Sequence, residues 1–212
     1  MSKTERKILI DSLAKKGISD QNVLTAMLKV EREKFVPIPM RVNAYRDIAL
    51  PIGYEQTISQ PYTVAIMTQA LKVKEGERIL EIGTGSGYQA AILVEMGARV
   101  YTIERNNDIF RNAQKLFDKL GVRVSTKCGD GTIGWSEHAP FDGIIVTAGS
   151  PDIPESLKNQ IALGGRLVIP VGGKRTQTLK VVTRITDNTF DIESIPEFAF
   201  VPLIGREAWD KE

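Results

Sequence analysis

Apolar residues recur at helical spacing near the start of the chain. Ile8, Leu9 and Leu13 share a face before Gly17, and Val23, Leu24, Met27 and Leu28 repeat the pattern, with Ser19 or Asp20 placed to cap the second helix. Between residues 35 and 59 the period is lost, and Pro37, Pro39, Pro51 and Gly53 punctuate the stretch. A long irregular segment inside a compact domain is uncommon unless it covers something. It reads either as a lid over a ligand site or as a structural arm. Helical spacing resumes from Pro61 through Val64, Met67, Thr68 and Leu71, with an end expected near Gly76.

Past that point strand and helix patterns alternate. Strands are expected at 78–82, 99–103, 122–127, 141–147 and 166–171, and helices at 88–96, 109–120 and 155–160. This alternation predicts an α/β fold with a doubly wound, mainly parallel sheet of the Rossmann-like kind, preceded by an N-terminal helical extension. Two further apolar runs, 179–185 and 190–195, flank Asp187-Asn188, a two-residue hairpin turn, so an antiparallel pair should finish the sheet edge. The length favours a single domain, 1–212. Its parts would be helices and lid or arm at 1–60, an α/β core at 61–175, and a hairpin and tail at 176–212.

Composition narrows the partners. The chain carries 28 Lys and Arg against 26 Asp and Glu, a formal net charge of +2, far from the basic excess that phosphate-backbone binding leaves. No nucleic-acid partner is expected. The polar segment Met1-Ser-Lys-Thr-Glu-Arg-Lys7 lacks a secretory signal, and no apolar run approaches a membrane span. A cytoplasmic monomer with no membrane association is the expectation. The single cysteine, Cys128, excludes an internal disulfide framework and is expected to be a small buried hydrophobe.

The chemistry concentrates around Gly83-Thr-Gly85-Ser-Gly87, which follows an apolar strand and opens a helix. Glycines there permit a tight turn and close approach of a ligand to backbone, and the helix start offers free N–H groups. The spacing is G-x-G-x-G rather than the G-x-G-x-x-G of dinucleotide sites. Glu104 ends the next strand, about 20 residues on, where an acid accepts hydrogen bonds from ribose hydroxyls. Asp130, in Gly129-Asp-Gly131, follows the third strand and is placed to meet an adenine amino group. Taken singly, Glu104 also reads as a solvated strand end and Asp130 as a turn acid.

Other enzyme classes lack their residues. No Tyr-x-x-x-Lys pair exists for nicotinamide chemistry, and no Gly-x-Ser-x-Gly for an α/β hydrolase. His138, the only histidine, reads as an exposed loop residue, and one Cys with one His makes no standard metal site. The Asn/Asp-Pro-Pro-Tyr signature of amino-nitrogen methyltransferases is replaced by Thr147-Ala-Gly-Ser-Pro151, which favours an oxygen acceptor. A carboxylate acceptor is already ionised at neutral pH and needs no general base. It does need alignment and a few donors, for which Thr57 and Ser59 are suited.

These residues resemble the protein-L-isoaspartate (D-aspartate) O-methyltransferase family. The likeness runs through Arg32-Glu-Lys-Phe-Val36, Ala44-Tyr-Arg-Asp47, Ala49-Leu-Pro-Ile-Gly53, Gln56-Thr-Ile-Ser-Gln-Pro61, Leu80-Glu-Ile-Gly-Thr-Gly-Ser-Gly-Tyr-Gln89, Gly129-Asp-Gly131 and Phe200-Val-Pro-Leu203. The resemblance implies a class I methyltransferase that moves a methyl group from S-adenosylmethionine to the α-carboxylate of L-isoaspartyl residues in damaged proteins and peptides. The methyl ester would then collapse to a succinimide. It implies Ser59 as the active-site serine, although a serine before Gln60-Pro61 also reads as a helix cap. Thr57, Ser59, Glu81, Gly83, Gly85, Gly87, Glu104, Asp130 and Gly131 would hold the cofactor, and Val201, Pro202 and Leu203 the substrate. The chain departs from the family pattern at Tyr54-Glu55, Tyr62-Thr63-Val64 and Gly149-Ser150. Two rival readings remain, an O-methyltransferase with another acceptor and a non-catalytic cofactor-binding subunit.

Overall fold

The computed structural model describes residues 3–210. Its centre is a seven-stranded sheet. The strands are β3 (Arg78–Ile82), β4 (Arg99–Glu104), β5 (Ser125–Cys128), β6 (Phe141–Val146), β7 (Ile161–Gly172), β8 (Gln177–Arg184) and β9 (Phe190–Phe198). Their order is β5-β4-β3-β6-β7-β8-β9. The first five pair in parallel, and β8 and β9 add antiparallel at one edge. From β3 the chain steps outward to β4 and β5, then returns to the other side of β3 as β6. Ligands of open α/β sheets bind at such a reversal, outside the carboxyl ends of the strands.

Alternation within the strands explains why both sheet faces are covered. Ile79, Ile145 and Val168 pack on one side, with Met67, Leu93 and Phe117. Their neighbours Leu80, Ile144 and Leu167 pack on the other, with Phe141 and Leu157. Each fully buried Leu or Ile contributes about 1.5–3 kcal/mol, so a one-residue slip of β3 would exchange two cores at once.

The helices are α1 (Lys3–Lys15), α2 (Gln21–Lys29), α3 (Pro61–Leu71), α4 (Tyr88–Glu95), α5 (Asn107–Leu120) and α6 (Glu155–Asn159). Of the two cap candidates for α2, Asp20 takes the role, its carboxylate accepting from the amides of Asn22 and Val23. The spacing that α5 shows in sequence is the spacing of its buried residues, Ile109, Ala113 and Phe117, with Asn106 capping its start. The N-terminal helices share a further core with α3 and α4, in which Leu13, Met27, Phe35, Ala65 and Ile92 meet.

Several boundaries differ from expectation. Helix α3 stops at Leu71, short of Gly76, because Lys72 turns left-handed (φ 56°) six residues before β3 begins at Arg78. Strand β5 begins at Ser125, since residues 122–124 pair with nothing in the sheet. Cys128 is exposed at the edge-strand terminus, not buried. The β8–β9 connection is longer than the two-residue turn, spanning Ile185 to Thr189, with the Ile185 and Thr186 amides donating to the Thr189 carbonyl and the Arg184 guanidinium donating to the carbonyls of Thr186 and Asp187.

The irregular stretch is both an arm and a cover. It contains two 3-10 turns, Arg32–Phe35 and Ile38–Asn43, then a hairpin of β1 (Leu50–Gly53) and β2 (Gln56–Ile58). Arg32 is fully buried, donates to the carbonyls of Ala44 (2.9 Å) and Ile48 (3.3 Å), and lies 5.0 Å over the Tyr88 ring. It thereby ties the arm to the first turn of α4. The hairpin tip places Tyr54 (φ 53°) and Glu55 (φ 58°) in the left-handed region, a primed turn made without glycine.

Candidate active site

A cavity of about 600 Å³ opens at the carboxyl ends of β3, β4 and β6, within the size range of small-molecule sites. Its floor is the glycine loop, Gly83 to Ser86. At Gly83 (φ +94°) a Cβ would lie 2.4 Å from Thr147 Oγ1. Thr147 needs that closeness, because its hydroxyl is 3.0 Å from the Ile82 carbonyl and 2.8 Å from that of Gly83, tying the end of β6 to the loop. Gly87 has a different use. It does not line the cavity, and a Cβ there would strike the Phe117 ring at 2.5 Å, so its absence lets the loop settle on α5.

Two carboxylates face this floor. Parallel register pairs Ile82 with Ile103, which carries Glu104 one residue past the end of β3, beside the loop. Glu104 Oε2 accepts from the Gly85 amide (3.0 Å) and Oε1 from the Asn106 amide (2.8 Å). Each oxygen keeps a second lone pair for a ligand hydroxyl. Glu104 therefore sets the shape of the glycine loop as well as offering acceptors to the cavity.

Glu81 is fully buried and also lines the cavity. Its Oε2 accepts from Thr102 Oγ1 (2.6 Å), and Thr84 Oγ1 stands 2.6 Å from the same hydroxyl. With Thr102 donating to Glu81, Thr84 donates to Thr102. The backbone of Ala90 approaches the carboxylate, yet Oε1 makes no hydrogen bond of normal geometry. Burial pushes this carboxyl up to about 8, and Glu104 reinforces the shift against the Thr102 hydrogen bond.

A raised acid keeps its proton in the folded chain while the unfolded chain releases it. The contribution of Glu81 to stability should therefore fall as pH rises from the unfolded value near 4.5 to about 8, and level off above. Urea midpoints of the ligand-free protein across that range measure the slope. Glu81→Gln should remove most of it, and identical slopes for both proteins would show that Glu81 is ionised.

The hairpin supplies the opposite wall. Tyr54, Glu55, Gln56, Thr57, Ile58 and Ser59 all line the cavity. The cap position of α3 is Gln60, without a side-chain capping bond. The Tyr62 amide is instead satisfied by Asp47 Oδ1 at 2.8 Å, from the arm, and Asp47 is itself held by Lys16 at 2.6 Å. Ser59 is thus not the helix cap. Nothing local in sequence marks Asp47 for this role, since it lies 15 residues before its partner.

Asp130 is held by its neighbours at the edge of the cavity floor. It does not line the cavity, although Gly131 does. Its Oδ1 accepts from the amide (2.9 Å) and hydroxyl (2.7 Å) of Thr132, and its Oδ2 from the Arg206 amide (2.9 Å). Burial raises this carboxyl, but those donors outweigh it and hold it below the usual carboxylate range. The tail crosses so close that a Cβ on Gly205 would lie 2.2 Å from Asp130 Oδ1. Glu207 continues the clasp by accepting from the Ser156 amide and hydroxyl, and Trp209 Nε1 donates to the Gly149 carbonyl. The segment so fastened, Val201, Pro202, Leu203 and Ile204, forms the third wall of the cavity, and of these only Val201 also lines the second cavity described next.

A second cavity, of about 320 Å³, adjoins the first. Thr57, Ser59, Thr147 and Val201 line both, so these four mark the junction. His138 is half-buried among Tyr101 and Trp135, away from either cavity lining. Among the described residues there is no cluster of three or more His, Cys, Asp or Glu suited to a metal ion, and no helix long and apolar enough to cross a membrane.

The family model for Protein-L-isoaspartate(D-aspartate) O-methyltransferase matches residues 4–208. A protein-L-isoaspartate O-methyltransferase of Chlorobium phaeobacteroides is 53% identical over 205 residues, covering 96% of this chain and 94% of its own. One of Geobacter metallireducens is 49% identical over 209 residues, covering 98% and 97%. Among solved structures, a protein-L-isoaspartate O-methyltransferase superposes with a TM-score of 0.86 at 31% identity, covering 96% of this chain and 67% of that one. A Plasmodium falciparum structure described as a protein-L-isoaspartate O-methyltransferase in complex with S-adenosyl-L-homocysteine gives 0.81 at 25% identity, covering 94% and 98%.

Proposed function

We infer the reaction from one premise: this chain belongs to the protein-L-isoaspartate(D-aspartate) O-methyltransferase family and is an S-adenosylmethionine-dependent enzyme of that kind. Its substrates are isoaspartyl-containing proteins and peptides. The donor set fits the cofactor on physical grounds. The buried Oε1 of Glu81 lacks a normal hydrogen bond and suits the ammonium group. Glu104 at the loop edge suits the ribose hydroxyls, and Gly83, Gly85 and Gly131 allow close approach to backbone. Gly87 and Asp130 act one layer back, by packing on α5 and by clasping the tail. When bound, the cofactor supplies an electrophilic methyl group on a sulfonium.

The observation that carries the reading is the junction of the two cavities at Thr57, Ser59, Thr147 and Val201. An acceptor carboxylate entering from the smaller cavity meets these residues before it meets the cofactor. Ser59, released from capping, donates a hydrogen bond that orients the carboxylate, and Thr57 assists. The attack is direct and in line, with no covalent enzyme intermediate: a carboxylate O–C bond forms as the S–C bond breaks. Opposite charges cancel as the carboxylate meets the sulfonium, a change favoured to the extent that bound substrate and cofactor displace water from the junction. The methyl ester closes to a succinimide when the neighbouring backbone nitrogen displaces methanol. We further take the protein to act as a cytoplasmic monomer without nucleic-acid or membrane partners, in keeping with its net charge of +2.

Labelled S-adenosylmethionine and matched peptides, differing only in isoaspartate or aspartate at one position, test the reading. Label should enter the isoaspartyl peptide alone. Equal labelling of both would sink it, and tight cofactor binding without labelling would favour a non-catalytic subunit.

A further inference from the structure

Strand β9 contains a bulge. Leu179 pairs with Ile195 and Gln177 with Phe198, so two steps along β8 match three along β9. In a regular strand Ile195 and residue 197 would share a face. The extra residue shifts the period, and it is Phe198 that joins Ile195 against the sheet core. Glu197 is turned out of the core, exposed, at φ 65°, a conformation that is strained for a side chain larger than glycine. Bulges beside active sites commonly re-aim a side chain in this way. Glu197 is among the residues that line the second cavity.

The chemistry of that lining is uneven. The end shared with the larger cavity carries the hydroxyls of Thr57, Ser59 and Thr147, suited to a carboxylate. The unshared end holds Phe198 and Phe200, with ring centroids 6.4 Å apart, and Glu197, the cavity's sole charged residue. Aromatic faces with one carboxylate at the rim match a side chain with an aliphatic stem and a cationic head. Gln60, Tyr62 and Thr63 share this lining and offer neutral hydrogen bonds, so the charge of Glu197 is what separates a basic neighbour from an acidic one.

Resting on the repair reading above, we propose that Glu197, Phe198 and Phe200 form a subsite for a lysine or arginine adjacent to the isoaspartyl residue, so that basic neighbours are preferred over acidic ones. The subsite acts on selection among damaged chains, not on methyl transfer itself. Because Glu197 is exposed, its effect is modest and screened by salt.

The test uses isoaspartyl peptides identical except for Lys, Gln or Glu at one neighbouring position, placed on either side in turn, with kcat/KM measured for each. The full-length enzyme should favour Lys over Glu by about two- to fivefold on one side. That ratio should shrink between about 10 mM and about 0.5 M salt, as the Debye length falls from about 30 Å to below 8 Å. E197Q should bring it close to unity and E197K should invert it. A ratio near unity in the unaltered enzyme at low salt, or one that survives E197Q, overturns the subsite. If the Gln peptide is not methylated at all, the repair reading fails first; if it is methylated without charge preference, only the subsite fails.

Discussion

Glu104→Ala is expected to weaken S-adenosylmethionine binding at least about a hundredfold. Two hydrogen bonds from ribose hydroxyls to an ionised acceptor are at stake, each worth about 1.5–3 kcal/mol. Their loss compounds with a second effect. Glu104 also accepts from the amides of Gly85 and Asn106, so its removal loosens the glycine loop that forms the cavity floor. Those amides then turn to solvent at the cavity mouth, and stability should fall by only about 1–3 kcal/mol. Titration calorimetry of the ligand-free protein reads the affinity, and a urea midpoint reads the stability. An affinity change below threefold, in a variant that remains folded, would remove Glu104 from the cofactor site.

Ser59→Ala should lower turnover by about ten- to a hundredfold, the cost of losing one hydrogen bond to a charged group in the reacting geometry. Stability should be almost untouched, because α3 does not rely on this hydroxyl: Gln60 holds the cap position and Asp47 receives the Tyr62 amide. Asp47→Ala provides the contrast, with about 1 kcal/mol of stability lost as for other caps. Cofactor affinity should remain within about threefold in Ser59→Ala, since the carboxylates and glycine loop are intact. If Ser59→Ala melts early yet turns over normally when folded, the hydroxyl is structural after all.

Much of the architecture could be read from the chain because its causes are local. The continuous apolar runs of β3, β6 and β7, buried on both faces, and the i, i+4 spacing of Ile109, Ala113 and Phe117 reflect geometry within a few residues. The position of Glu104 followed from the same logic, since a parallel strand ending beside a glycine loop leaves its last residue at the ligand. Errors arose where a local signal had a competitor further away. The start of β5 and the end of α3 were misplaced by backbone conformations, at 122–124 and at Lys72, that apolar residues nearby conceal. Asp130 also accepts from the Arg206 amide, a partner 76 residues later that no local signal announces. Glu197 gave no signal, because a bulge depends on how β9 meets β8 and not on β9 alone.

By itself, then, the sequence determined the loop from Gly83 to Gly87, the acid that follows it, and the sheet that brings them together. Periodicity and strand-end geometry are properties of short segments, and they survive being read one segment at a time. Tertiary structure alone decided which side chains are left available for chemistry. It freed Ser59 by giving the start of α3 to Asp47, fastened the tail to Asp130, and pushed the Glu81 carboxyl up by burying it. Each outcome depends on what the rest of the chain places nearby, because hydrogen-bond satisfaction and desolvation are settled by neighbours in space.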